Sequence, residues 1–159
     1  MAKFDVELFR DYILQIVVDN IDAKIDEINT EKNDSIILTK PDSAHFIHTL
    51  NDQALAFDPF IHYGLSAINT EAQGGSVKWV PQMFISFYFI DRGQGDIAES
   101  KVLRYTRAIT EILADKATAN SLISTLEILP LPPAIVTLAD QDGSNYKVGA
   151  VEIKGSFVT

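Results

Sequence analysis

Two amphipathic helical stretches set among strand-like runs predict an α+β fold, with two main helices packed on a mainly antiparallel or mixed β-sheet that ends in a C-terminal β-hairpin. Three observations carry this reading. Apolar residues recur at steps of three and four over residues 5–28, and again from Ala98 to Leu113. Between them lies the most apolar run of the chain, Met83-Phe84-Ile85-Ser86-Phe87-Tyr88-Phe89-Ile90. The order helix, strands, helix, strands argues against repeated βαβ units. With 159 residues, no internal repeat and no long linker, the chain reads as a single domain over residues 1–159.

The first helix places Phe9, Ile13, Ile16, Val17, Ile21, Ile25 and Ile28 on one side, with Asp, Glu, Lys and Asn on the other. Residues 29–34 break that pattern, and residues 35–39 (Ser-Ile-Ile-Leu-Thr) read as a short strand ended by Lys40-Pro41-Asp42. Residues 45–50 read equally as a strand or a helical turn. Residues 60–69 form a strand in which Ile61, Tyr63, Leu65 and Ala67 share a face, and residues 70–76, with Gly74-Gly75, read as a flexible connection.

Residues 79–90 make the central strand. Met83, Ile85, Phe87 and Phe89 point one way, and Phe84, Tyr88 and Ile90 the other. A strand apolar on both faces is covered on both, either by its own chain or by a neighbouring subunit. After the tight loop at residues 91–95, Asp96 and Glu99 match a capping box, and the helix that follows runs to about Asp115. Its apolar stripe is Ala98, Val102, Tyr105, Ile109, Ile112 and Leu113, which puts Arg104 and Arg107 opposite. Residues 123–129 read as a strand stopped by Pro130, Pro132 and Pro133, which lack amide hydrogens. Residues 134–139 and 146–158 then form the hairpin, turning at Asp142-Gly143, with a bulge expected at Gly149.

The formal charge of −9, from 22 acidic and 13 basic side chains, opposes binding to a nucleic-acid backbone. Lys101, Arg104 and Arg107 are the nearest approach to a basic cluster. An acidic surface can still line a channel through which DNA slides. The absence of cysteine excludes disulfides, thiolate zinc sites and a cysteine nucleophile, and fits assembly in a cytoplasm. The acidic start lacks the apolar core of a signal peptide, and no apolar run is long enough to span a bilayer.

Catalytic, cofactor and metal sites find no residues to carry them. Gly93-Gln94-Gly95 lies between strand and helix, but it lacks the third glycine or Gly-Lys-Ser/Thr ending of a phosphate loop, and Asp96 and Glu99 would repel phosphate. His45, His48 and His62 have no diagnostic ligand spacing, and read as structural histidines. Asp140, Asp142, Ser144 and Asn145 lack the closing Glu of a calcium loop and suit a hairpin turn. No Gly-x-Ser-x-Gly elbow or singular carboxylate pair occurs. The expectation is a protein that is not an enzyme and needs no cofactor. Four residues are candidates for a subunit interface: Phe84 and Tyr88 on the second face of the central strand, and Arg104 and Arg107 on the second helix. The alternative for the arginines is a solvated face, with Arg107 paired to Glu111.

The segment from Val80 to Thr159 resembles the tail-terminator, or tail-completion, proteins of long-tailed bacteriophages. The residues that carry the likeness are an apolar strand ending in Asp91-Arg92-Gly93, a helix with Arg104-Tyr105-Thr106-Arg107-Ala108, a strand into Leu129-Pro130, and a last strand with Val148-Gly149-Ala150-Val151-Glu152-Ile153-Lys154-Gly155. The helix at residues 9–28 also fits that family's beginning, whereas residues 41–75 have no match in it. The resemblance implies a structural virion protein, assembled in the host cytoplasm, that forms a homo-oligomeric, usually hexameric ring at the neck end of the tail. Its implied partners are the tail tube and the neck or connector proteins, with DNA passing nearby without specific binding. Such a ring needs two different complementary patches on each subunit, and the acidic first helix and the Arg104/Arg107 face are one such pair. Two alternatives stand beside it: another neck, tube or baseplate component, and a small-molecule-binding or enzymatic α+β domain.

Overall fold

The computed structural model describes residues 3–48, 58–117, 122–137 and 145–159. It consists of two helices and a five-stranded mixed sheet of order β1-β2-β3-β5-β4, so the α+β expectation holds. Helix α1 spans Val6–Lys32. Asp5 caps it by accepting from the Leu8 amide at 2.9 Å, and Asn33 ends it in the left-handed conformation. The helix runs four residues past the predicted Ile28 because Asn29, Thr30, Glu31 and Lys32 continue it up to that cap. Helix α2 spans Gly95–Lys116.

The sheet comprises β1 (Phe46–Ile47), β2 (Phe60–Gln73), β3 (Ser76–Ile90), β4 (Thr125–Thr137) and β5 (Asn145–Val158). Only β1 runs parallel to its neighbour, pairing Phe46 with Ile61 and Ile47 with His62. β2 and β3 form one long hairpin rather than strands joined by a flexible connection. Their ladder runs to Gln73 opposite Ser76, and Gly74 and Gly75 turn it with φ of 53° and 86°. A bulge between Leu65 and Ala67 shifts the phase. Ile61, Tyr63 and Leu65 therefore share a face with Ile68, while Ala67 moves to the other side.

Both helices lie on one face of the sheet. A Cβ on Gly149 would come within 2.7 Å of Val102 from α2, and a Cβ on Gly155 within 2.4 Å of the Phe9 ring from α1. One apolar cluster fills the space between the layers. It joins Phe9, Ile13, Val17, Ile21, Ile25 and Ile28 of α1 to Val102, Tyr105, Ile109 and Leu113 of α2, over Met83, Ile85, Phe87, Val151, Ile153 and Phe157.

Several local expectations change. Residues 35–39 join no strand among the described residues; the Ile36, Leu38 and Thr39 carbonyls and the Leu38 amide bond to helix side chains instead. Of residues 45–50, His45 closes a short 3-10 turn at Ser43–His45 that leads into β1, and residues 49–50 lie outside the described residues. Asp96 and Glu99 form no capping box, because α2 begins at Gly95 and Asp96 already lies inside its first turn; Glu99 instead approaches Lys147 of β5 at 3.5 Å. The prolines do not end the strand. β4 carries Pro130 opposite Val151 and absorbs Pro132 and Pro133 in a bulge between Leu131 and Ala134. An edge strand has one side that needs no donors, so proline is tolerated there. The β3–β5 register runs without a shift through Gly149, so no bulge forms at that residue. β4 and β5 are the expected C-terminal hairpin; its turn, Asp142-Gly143 included, lies outside the described residues. No helix among the described residues is long and apolar enough to cross a membrane.

Candidate interface surfaces

The second face of the sheet carries Phe84 and Tyr88, and no helix among the described residues packs on it. The alternation of β3 is as the sequence predicts: Met83, Ile85, Phe87 and Phe89 are buried under the helices, while Phe84, Ser86, Tyr88 and Ile90 are half-buried. Tyr88 stacks on Phe60 with ring centres 4.4 Å apart, and Tyr146 meets Phe60 edge-on at 5.6 Å. Burial among these rings pushes the Tyr88 phenol above its usual pKa. One turn of the ladder away, His62 meets Phe84 edge-on at 5.1 Å. Between those groups runs a row of smaller side chains, Ser86 opposite His62 and Ala150, with Leu131 beyond at the sheet edge. Leu129 and Leu131 are 45% and 39% exposed there. The surface is therefore aromatic at its centre and aliphatic at its β4 margin.

The two arginines sit on the helical side, and their bonds run within the chain. Arg104 is not opposite the buried stripe; it is buried beside it. Its guanidinium grips both carboxylate oxygens of Asp34 and donates to the Ile36 carbonyl at 2.6 Å. Those bonds hold the Asp34 carboxyl below the usual carboxylate range. Arg107 forms a fork onto Glu31, both contacts at 2.8 Å, and its Nε donates to Glu111 at 2.8 Å. The paired charges lower the pKa of Glu31 and Glu111 and raise that of Arg107. The complementary pairing expected between an acidic first helix and this arginine face thus forms inside one subunit, clamping the end of α1 to α2. Lys24 of α1 adds a bridge to Glu111 at 3.2 Å.

A feature that sequence reading missed is how residues 33–40 are fastened. The Asn29 side chain brackets Leu38, accepting from its amide at 2.9 Å and donating to its carbonyl at 3.1 Å. The Ile36 amide donates to Asp34 at 3.0 Å, and the Tyr105 hydroxyl donates to the Thr39 carbonyl. Asn29 reads in sequence as the residue that breaks the helix, and nothing in its spacing reveals the bracket.

The remaining candidates stay dispersed. Among the described residues no three His, Asp or Glu side chains converge as metal ligands. His45 bonds to Asp42, capping the 3-10 turn, and His62 bonds to the His48 carbonyl at 3.2 Å. Gly93 supplies a positive φ of 78° to a loop that Asp91 closes by accepting the Gly93 amide. Asp140, Asp142 and Ser144 lie outside the described residues. Two concavities stand out. One, of about 350 Å³, runs between the helices past Asn20, Lys24, Glu27 and Glu111. The other, of about 460 Å³, lies beside Phe4, Val6, Ile68 and Trp79 near the start of α1. No family model matches this chain, and neither does any curated protein.

Proposed function

We propose that this chain is a structural subunit of a phage-like tail, a tail terminator whose copies form a ring that caps the tail tube and joins it to the neck. The observation that supports this best is the sheet face on which no helix packs among the described residues. Leu129 and Leu131 are exposed on it beside the half-buried Phe84 and Tyr88, with Phe60 and Tyr146 buried among them. Surfaces of that composition suit protein contact, where aromatic side chains contribute most of the binding free energy. The net charge of −9 suits a bore that conducts DNA without holding it. In this reading Phe84 and Tyr88 face a neighbouring subunit or the tube, while Arg104 and Arg107 act indirectly by fixing the shape of the helical side.

The test has two arms. Native mass measurement and negative-stain imaging of the purified protein should show a closed ring, alone or after mixing with tail tubes from a long-tailed phage. Capped tubes should also stop elongating. A protein that stays monomeric at high concentration, and leaves tubes uncapped, would sink the proposal.

A further inference from the structure

The sheet has two outer edges, and they are built differently. On β4, Pro130, Pro132 and Pro133 remove three amide donors from a short stretch, and a bulge distorts it further. Such devices keep an edge from accepting another strand. On the outer side of β2 the only strand partner among the described residues is β1, at Ile61 and His62. His48 follows beside Tyr63, with ring centres 5.6 Å apart; residues 66–73 have no strand on their outer side among the described residues, and the sole charged residue among them is Glu71, already bridged to Lys78 at 3.1 Å. There is no proline or lysine guard on this edge. Beside it lies the apolar concavity of about 460 Å³ formed by Phe4, Val6, Ile68 and Trp79, with Ile68 52% exposed.

The same chain holds a segment that looks like a strand but has no strand beside it among the described residues. Residues 35–39 alternate in burial: Ser35, Ile37 and Thr39 are exposed, Ile36 half-buried and Leu38 buried. Their backbone bonding also alternates. Ile36 and Leu38 direct amide and carbonyl towards Asp34, Arg104 and Asn29, with the Asn29 amide bonding Leu38 as a neighbouring peptide would. Ile37, between them, has no hydrogen-bond partner among the described residues, and its side chain is 58% exposed. One side of this segment is satisfied by helix side chains. The other side presents a free amide, a free carbonyl and a β-branched residue, the groups an edge strand offers.

We infer that residues 35–39 of one copy add as a strand to the open β2 edge of a second copy, along residues 66–73. The second copy is the fitting occupant because the chain carries both halves, on different surfaces. Contact between unlike surfaces is head-to-tail, and it forms a ring where the rotation between copies closes. Ladder hydrogen bonds supply the contact, and alternating side chains set its register. Asn29, Asp34 and Arg104 are positioning residues for the donor segment. This deepens the ring reading by naming its subunit contact, but it depends only on self-association, not on a tail.

The absence of cysteine makes the test clean. Ile37→Cys protein is mixed under mild oxidation with each of Ser66→Cys, Ala67→Cys, Ile68→Cys, Asn69→Cys and Thr70→Cys. A disulfide requires Cβ atoms only about 4 Å apart. The expected result is a mixed disulfide dimer at one or two alternate edge positions, well above the homodimer of either variant alone. Ile37→Lys should abolish self-association while leaving the melting temperature unchanged. Absence of mixed disulfide at every position, or dominant homodimers of the β2 variants, would overturn the inference; so would unimpaired assembly of Ile37→Lys. Mixed disulfide in open filaments that fail to cap tubes would instead remove the terminator reading and keep the strand contact.

Discussion

Gly149 and Gly155 mark where the helices come closest to the sheet. A methyl group on Gly149 would lie 2.3 Å from the Phe87 ring, and one on Gly155 2.4 Å from the Phe9 ring. Both rings are fully buried and have no room to swing aside. Gly149→Ala and Gly155→Ala should each destabilise the protein by about 1–3 kcal/mol, the usual cost of overpacking a filled core. Gly64→Ala is the control, since its added carbon would stand 3.3 Å from the edge of Phe84, a half-buried ring that can yield. Urea midpoints would check this; equal shifts for all three variants would refute the packing argument. The signal for these two glycines was present in the sequence. They fall in phase with Val151, Ile153 and Phe157, the buried positions of β5, so each occupies a core site with no side chain. Reading Gly149 as a bulge looked only for a break in pattern. Arg104 was harder to read, because helical spacing cannot reveal that a chain segment folds over the far side of the helix.

At the level of elements, periodicity identified both helices and the two-faced strand β3, since each buries one face against the other layer. It failed at edges and turns, where donors rather than apolar contacts decide the outcome. The prolines of β4 illustrate this. They look like a stop in a strand assumed to be paired on both sides, but among the described residues β4 is paired on one side only. Their effect belongs to the outer edge, where they thin out the donors over residues 130–133. Replacing Pro130, Pro132 and Pro133 by valine should therefore leave the melting temperature within a few degrees of the parent while speeding aggregation several-fold. Light scattering at constant temperature would follow it. If the triple variant stayed as soluble as the parent, the prolines would not be guarding the edge. Residues 35–39 failed in the opposite sense. Their composition is that of a strand, and sequence alone does not reveal that Asn29 and Arg104 stand where a neighbouring strand would.

For the whole molecule, charge sets how stability and association respond to solution conditions. Asp34, Glu31 and Glu111 bind protons more weakly when folded, because guanidinium groups bond to their charged forms. Their contribution is complete above the ordinary carboxylate range and is lost as pH falls below about 4.5. His62 works in the same direction by another route. Burial lowers the pKa of its ring, outweighing the bond to the His48 carbonyl that raises it, so protons bind first to the unfolded chain. Stability therefore starts to fall as pH drops through about 6.5, the ordinary histidine value. Thermal unfolding should show two acid-side losses, the first removed in His62→Gln and the second made shallower in Arg107→Gln. Salt at about 0.5 M should flatten the second loss, because Arg107 and its two carboxylates are partly exposed and screened. The same salt should strengthen self-association, since copies carrying −9 each repel one another while strand and apolar contacts are little screened. Sedimentation in the buffers used for unfolding would measure both. Association that weakened with salt would mean that ion pairs between copies, and not the open strand edge, hold them together.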